Sequence, residues 1–162
     1  MAAVLLWLLA AGTLLVSAGA NEAYDELHET YKKGVDLAVD KLNSHVGINR
    51  RFLFFKSLLK SDIQPGFDVT YIYHNFYLKA TTCSKGAVNT SSCPFRNDRP
   101  LMDCTVCYKM FGDEIETEPK PYVHCIQKPK LTRVMVQTRL DHCSRMSYTR
   151  GSPTLLASGT PN

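Results

Sequence analysis

The side chains with the greatest capacity for chemistry in this sequence are six cysteines, all in its second half: Cys83, Cys93, Cys104, Cys107, Cys125 and Cys143. Two of them form a CxxC motif, Cys104-Thr105-Val106-Cys107, which is found in three kinds of site. A redox site needs a thiol of low pKa, usually at a helix N-terminus. A zinc site could add ligands from His124-Cys125 and His142-Cys143. The third kind is a pair of structural disulfides.

The geometry of a strand favours the structural disulfides. Residues 101–111, which contain the motif, have the composition of a strand. Residues three apart on a strand point to opposite faces and lie about 10 Å apart, whereas a disulfide joins Cα atoms at most about 7 Å apart. We therefore expect Cys104 and Cys107 to bond different, distant cysteines.

The other ionisable side chains do not form a catalytic set. Five histidines are scattered along the chain, and neither HExxH nor GxSxG occurs. Acidic residues cluster only near residue 25 and within 112–118, where a solvated surface accounts for them. The sequence therefore predicts that the chain is not an enzyme and that it binds no metal and no cofactor.

The first twenty residues are typical of a secretory signal peptide. They are apolar, contain no ionisable side chain and end in Ala18-Gly19-Ala20, an A-x-A cleavage pattern. We expect a cleaved signal peptide rather than an uncleaved anchor, and cleavage between Ala20 and Asn21 would give a secreted, extracellular chain of 142 residues (162 − 20). In that oxidising environment, six cysteines indicate three disulfides.

A single amphipathic helix is predicted at residues 22–46, where apolar residues recur at spacings of three and four. Glu22, Asp25 and Glu26 are placed where the positive end of the helix dipole favours anions. Gly47 is suited to the C-terminal cap.

Four strands of an antiparallel sheet are predicted to follow, at residues 50–60, 68–82, 101–111 and 122–127. Gln64-Pro65-Gly66-Phe67 has the composition of a type II turn. The second strand alternates between two faces; one carries Ile72, His74, Phe76, Leu78 and Ala80, and the other Tyr71, Tyr73, Asn75, Tyr77 and Lys79. We expect the first face to pack on the helix, with His74 as a core histidine, and the second to face solvent. Residues 131–140 fit either a strand or a helix.

The loop at 84–100 contains the only N-glycosylation sequon, whose acceptor is Asn89. Further on, residues 119–150 are basic, with one acid, Asp141, against Lys120, Lys128, Lys130, Arg133, Arg139, Arg145 and Arg150. These charges suit either a site for heparin or another anionic surface or a solvated cationic face. A formal net charge of +4 does not indicate a nucleic-acid partner.

The cysteine spacing resembles that of the chemerin (retinoic acid receptor responder) family, which shares the cystatin-like fold with cystatins and cathelicidin prodomains. The similar stretch begins at FYLKATTC, which ends in Cys83, and reaches Cys93 after nine residues and CTVC after ten more. It continues through VHC, which ends in Cys125, and seventeen residues further to Cys143.

The resemblance implies an α+β fold, in which residues 21–145 form one cystatin-like domain with an N-terminal helix packed on a four-stranded sheet. It implies disulfides that join Cys83 to Cys93, Cys104 to Cys125 and Cys107 to Cys143. Residues 146–162 would be a disordered C-terminal tail, since they contain nothing expected to pack.

By the same resemblance, the chain would be a chemoattractant and adipokine precursor in inflammation and metabolic regulation, and we expect it to be a monomer. Extracellular proteases would trim its tail, and the new C-terminus would bind a chemokine-like G-protein-coupled receptor. Trypsin-like enzymes would cut after Arg145 or Arg150, and elastase-like enzymes near Leu155, Leu156 and Ala157.

Two other functions compete with this one, and the sequence of the tail and of the hairpin bears on each. The family's tail has an aromatic-rich segment with Tyr-Phe-Pro-Gly, whereas Tyr148 is the only aromatic residue after Cys143 here. The alternative is a cathelicidin-like host-defence protein that acts on microbial membranes through its basic C-terminal third. Cystatin-type inhibition of cysteine proteases is less favoured, because the hairpin at 61–66 lacks the QxVxG motif.

Overall fold

The computed structural model describes residues 23–148. The predicted signal peptide, its predicted cleavage between Ala20 and Asn21 and the predicted processing sites at Arg150, Leu155, Leu156 and Ala157 lie outside the described residues. The fold is α+β, as predicted. A 3₁₀ turn (Tyr24–Glu26) is followed by α1 (Glu29–Asn43), β1 (Arg50–Gly66), β2 (Val69–Ser84), β3 (Met102–Phe111), β4 (Glu114–Ile115), β5 (Tyr122–Gln127), a second 3₁₀ turn (Lys128–Lys130) and α2 (Arg133–Tyr148).

Helix α1 is shorter than the predicted helix. Asp25 and Glu26 lie in the first 3₁₀ turn, and the residue that follows is extended, which separates this turn from α1. His28 is the N-terminal cap, and its ring accepts a backbone N–H of the first turn. At the other end the cap is Ser44 rather than Gly47.

The strands form one antiparallel sheet in the order β1-β2-β3-β4, with β5 also paired to β3. Its fifth strand, β4, is not among the predicted strands, because it lies within the acidic segment 112–118, whose composition indicates a solvated surface. A tight turn at Gly112 (φ 55°) brings Glu114 opposite Phe111 and so adds this two-residue strand.

The β1–β2 hairpin turns later than predicted. Gly66 pairs with Val69, so the turn consists of Phe67 and Asp68, whose φ angles are 56° and 58°. Two central residues of positive φ make a type I′ turn, whose twist matches that of the flanking strands. The predicted type II turn is therefore wrong, and Pro65 belongs to β1, which tolerates proline as an edge strand.

The face of β2 that was predicted to be buried packs against α1, and each of its five residues is at most 4% exposed: Ile72, His74, Phe76, Leu78 and Ala80. Gly34 allows α1 to approach β3 closely, since a Cβ at this position would lie 2.7 Å from Cε1 of Tyr108. The Tyr108 hydroxyl donates a hydrogen bond to the Thr30 carbonyl. The start of α1 is thereby fixed to the centre of the sheet.

Most of the segment that fitted either a strand or a helix belongs to a second helix, α2. This helix covers part of the opposite face of the sheet, so Tyr71 is only 8% exposed rather than facing solvent. Tyr77, on the same face, is 9% exposed, and its ring lies beneath the side chains of Lys56 and Lys128. Met146 of α2 packs there with Tyr71 and is itself 8% exposed. The predicted start of the tail at residue 146 therefore falls inside a helix, and the described residues contain two α-helices instead of one.

All six cysteines are in disulfides, and the pairs are those that the resemblance implied: Cys83–Cys93, Cys104–Cys125 and Cys107–Cys143. The CxxC cysteines bond different partners because they lie on opposite faces of β3. Cys104 belongs to the core beneath α1, and Cys107 belongs to the cluster beneath α2. This pairing favours the structural interpretation of the motif over the redox and zinc interpretations.

Candidate functional site

The best-defined polar arrangement among the described residues lies where α2 meets the sheet, just before the C-terminal segment. The Cys107–Cys143 disulfide joins β3 to α2, with Cα atoms 5.8 Å apart. Arg139 lies on the same side of α2, one turn earlier, and is 2% exposed. We call Cys107, Cys143, Arg139, Asp103 and His124 the α2 anchor.

A buried ion pair forms the centre of the α2 anchor. Arg139 Nη1 donates to Asp103 Oδ1 at 2.5 Å, and Nη2 donates to the Asp103 carbonyl oxygen at 3.0 Å. The two side chains are 3% and 5% exposed. Because a buried charge without its partner is costly, this pair fixes α2 to β3 in one position.

Asn75 of β2 completes the surroundings of the buried carboxylate. Its Nδ2 lies 3.0 Å from Asp103 Oδ1, 2.9 Å from the Cys104 carbonyl oxygen and 3.2 Å from Thr105 Oγ1. Asp103 Oδ1 thus accepts from both Arg139 and Asn75, so the polar groups that α2 covers are hydrogen-bonded.

His124 of β5 accepts the third hydrogen bond from the arginine. Arg139 Nε donates to His124 Nδ1 at 2.8 Å, which requires that ring nitrogen to carry no proton. Burial lowers the pKa of His124, and the positive charges of Arg139 and Lys41 lower it further. The α2 anchor therefore depends on a neutral histidine.

An apolar groove lies beside the α2 anchor, between α2 and the edge strand β1. It has a volume of about 260 Å³. Leu59 and Ile63 of β1 form one wall and are 53% and 54% exposed. We call it the α2–β1 groove and define it by Leu59, Ile63, Tyr71, Leu140, Met146 and Ser147.

The predicted processing sites are only partly described. Arg145 is exposed but lies within α2. A protease that binds an extended substrate would have to unwind the end of this helix to cut there. The other four positions (Arg150, Leu155, Leu156 and Ala157) follow α2, outside the described residues.

The predicted glycosylation site lies on an exposed loop. Asn89 Oδ1 accepts hydrogen bonds from the Ser91 backbone N–H at 3.1 Å and from the Ser91 hydroxyl at 2.6 Å. The Cys83–Cys93 disulfide closes this loop, with Cα atoms 5.5 Å apart. Asn89 is thus held on the surface at the sequon, where an enzyme can reach it.

Not all of the basic residues in the segment at 119–150 contribute to its surface charge. Arg139 is buried with its counter-ion and adds nothing to the surface charge. Lys128 extends over the Tyr77 ring, 5.0 Å from its centroid. Within the described part of the chain, the exposed basic side chains of the segment are Lys120, Lys128, Lys130, Arg133 and Arg145.

Sequence reasoning missed the Arg139–Asp103 pair because it counted Arg139 as a surface charge. A signal was present: Arg139 precedes Cys143 by four residues, so the two share a face if the segment is helical. Asp103 is also the one acid in a strand that is otherwise almost entirely buried. A buried acid needs a counter-ion, and an arginine on the same helix face as a disulfide-bonded cysteine is placed to provide one.

Among residues 23–148, no helix is long and apolar enough to cross a membrane, and no group of three His, Cys, Asp or Glu side chains could hold a metal ion. No protein-family model matches the chain, and no protein of curated function matches it significantly. The relationship to the chemerin family is therefore a proposal that the chain's own cysteines and fold must support.

Proposed function

We propose that this chain is a secreted signalling protein of the chemerin type, with one cystatin-like domain that presents a C-terminal segment for proteolysis. Trimming of that segment creates a C-terminus that binds a chemokine-like G-protein-coupled receptor. The chain acts as a monomeric chemoattractant and adipokine in this proposal, and it has no enzymatic activity.

The observation that carries the proposal is the α2 anchor. Its disulfide and buried ion pair fix residues 139–143 to the sheet, only a few residues before the segment that would be trimmed. Such a connection keeps the base of the segment in place while proteases act beyond it. The three disulfides also support a secreted protein, because disulfides form and persist in oxidising extracellular environments. A redox-active or zinc-binding CxxC would not require them.

The cathelicidin-like alternative receives less support from the structure. A membrane-active peptide from the basic C-terminal third would have to leave the body, but Cys143 is covalently bound to Cys107 and Arg139 is buried. Cystatin-type inhibition is also less supported, because the hairpin tip is Phe67-Asp68 in a type I′ turn, without the inhibitory motif.

The proposal is tested by intact-mass analysis of the protein released from expressing cells, before and after exposure to serine proteases. We expect a chain that begins at Asn21 and carries a hexose-containing adduct. Mutation of Asn89 should remove the adduct. Protease treatment should remove residues only from 149–162. Retention in the cell, or protease cleavage within the body before the tail, would contradict it.

A further inference from the structure

The α2–β1 groove is an apolar surface that no other part of the described chain covers. Leu59 and Ile63 belong to one face of β1, because they pair across the hairpin with Asn75 and Tyr71 of the α2-covered side. They are half exposed although neighbouring Tyr71 is only 8% exposed. An apolar concavity of this kind in a secreted protein usually receives another apolar group.

The walls of the groove are fixed before anything binds. One wall belongs to the β1–β2 hairpin, and the other is α2, which the α2 anchor holds by a disulfide and a buried ion pair. The floor contains Tyr71 and Met146, both buried against Cys107 and Cys143. Binding of a ligand therefore costs little conformational entropy in the site, which favours the binding of even a short peptide segment.

The chain's own C-terminal segment begins at this groove. Ser147, near the end of α2, is one of its lining residues. Fourteen residues follow Tyr148 in the sequence. Six residues lie between Tyr148 and Leu155, and the seven steps along an extended chain from one to the other span at most about 25 Å. The groove wall from Leu59 to Ile63 is only about 13 Å long at the rise of a strand, so the segment reaches it even with a reversal.

The composition of the segment suits the groove. Residues 151–162 contain no ionisable side chain, and their only large apolar residues are Leu155 and Leu156. Docking these leucines therefore buries apolar surface without burying a charge. Gly151, which follows Arg150, allows the backbone to reverse direction after the helix.

We infer that residues 153–157 bind in the α2–β1 groove of the same molecule, with Leu155 and Leu156 against its apolar lining, and that proteolysis after Arg150 uncovers it. A short tether gives the segment an effective concentration of about 1 mM. Weak intrinsic binding is therefore enough to cover the groove in most molecules. This inference does not depend on a receptor.

The experiment compares three forms of the mature chain with the full-length form. One ends at Arg150, one carries Leu155→Asp with Leu156→Asp, and the matched control carries Ser158→Asp with Thr160→Asp. The readouts are the NMR methyl resonances of Leu59, Ile63 and Met146 and the fluorescence of an apolar naphthalene-sulfonate dye.

We expect the chain that ends at Arg150 and the Leu155/Leu156 variant to show the same changes in the groove resonances and a severalfold rise in dye fluorescence. The Ser158/Thr160 control should match the full-length chain. Millimolar synthetic peptide of residues 151–162, added to the chain that ends at Arg150, should restore the original resonances. Ile63→Ser in that shortened chain should remove the rise in dye fluorescence, since Ile63 is exposed and its replacement leaves the fold intact.

Identical groove resonances in the full-length and shortened chains would overturn the inference, because the groove would then be open in both. Changes that depend on protein concentration would also overturn it and assign the groove to a second copy of the chain. A control variant that behaves like the Leu155/Leu156 variant would show that the two leucines are not the docking residues.

Discussion

Arg139 has three roles at one buried point: it neutralises Asp103, donates to the neutral ring of His124 and holds α2 on the sheet. Removal of the guanidinium would leave the Asp103 carboxylate buried without its counter-ion. We expect Arg139→Ala to lower the free energy of unfolding by about 3–5 kcal/mol. Urea denaturation with the disulfides intact measures this loss.

The control for this variant is Arg133→Ala, because Arg133 lies on the same helix and is exposed. Its replacement should change the free energy of unfolding by less than about 0.5 kcal/mol. Similar losses for the two variants would mean that the ion pair does not hold α2.

His124 makes the α2 anchor sensitive to acid. Its pKa is lowered in the folded state, chiefly by burial, so the unfolded chain binds a proton first as the pH falls. The contribution of His124 to stability is therefore complete well above the unfolded pKa of about 6.5 and is lost as the pH falls through the interval down to the folded pKa.

The measurement is the unfolding midpoint in urea between pH 7.5 and pH 5, compared with that of His124→Gln. Glutamine can accept the Arg139 hydrogen bond but does not titrate, so its midpoint should fall less steeply over this range. Parallel curves for the two proteins would assign the acid sensitivity to other groups.

At the scale of elements, the approach of α1 to the sheet depends on Gly34. In an isolated helix alanine is more favourable than glycine by about 1 kcal/mol, but a Cβ here would lie within 2.9 Å of both Tyr108 and Val106. We expect Gly34→Ala to destabilise the protein by about 1–3 kcal/mol through this overpacking.

Gly86→Ala is the matched control for Gly34→Ala, since no atom lies within 4 Å of the Cβ that it adds. Thermal unfolding of both variants measures the difference. A lower melting temperature only for Gly34→Ala is expected, and equal melting temperatures would show that α1 can move away at no cost.

The elements that local pattern determines were predicted well, and those that depend on distant contacts were not. The inward face of β2 follows from a period of two, and the structure confirms that Ile72, Phe76 and Leu78 are buried. The identity of α2 was undecidable because Val134, Val136 and Thr138 suit a strand equally well. Only contact with the far side of the sheet, through the disulfide and Arg139, favours the helix.

The same distinction applies to the turn and to the candidate site. Pro65-Gly66 has the sequence of a type II turn, but the twist of two long strands favours the type I′ turn two residues later, at Phe67 and Asp68. The α2–β1 groove could not be predicted, because it exists only after α2 packs beside the edge strand. The strand geometry of the CxxC motif, in contrast, separated its two cysteines correctly.

For the whole molecule, the sheet separates a helix without a disulfide from a helix that is held by one. Helix α1 packs on one face through apolar contacts and the hydrogen bond from Tyr108 to Thr30, whereas α2 is held on the other by the disulfide and the ion pair. The C-terminal segment leaves from the held helix, beside the α2–β1 groove. This asymmetry supports the proposal that the body presents a removable C-terminal segment.

The central claim, that trimming of this segment produces a receptor ligand, is tested most directly by a truncation series. Mature chains ending at Tyr148, Arg150, Leu155, Ala157 and Asn162 would be compared for signalling through chemokine-like receptors and for cell migration. We expect at least one shortened form to signal saturably at a lower concentration than the chain ending at Asn162. Equal inactivity of all five forms would contradict the proposed function and leave only the fold.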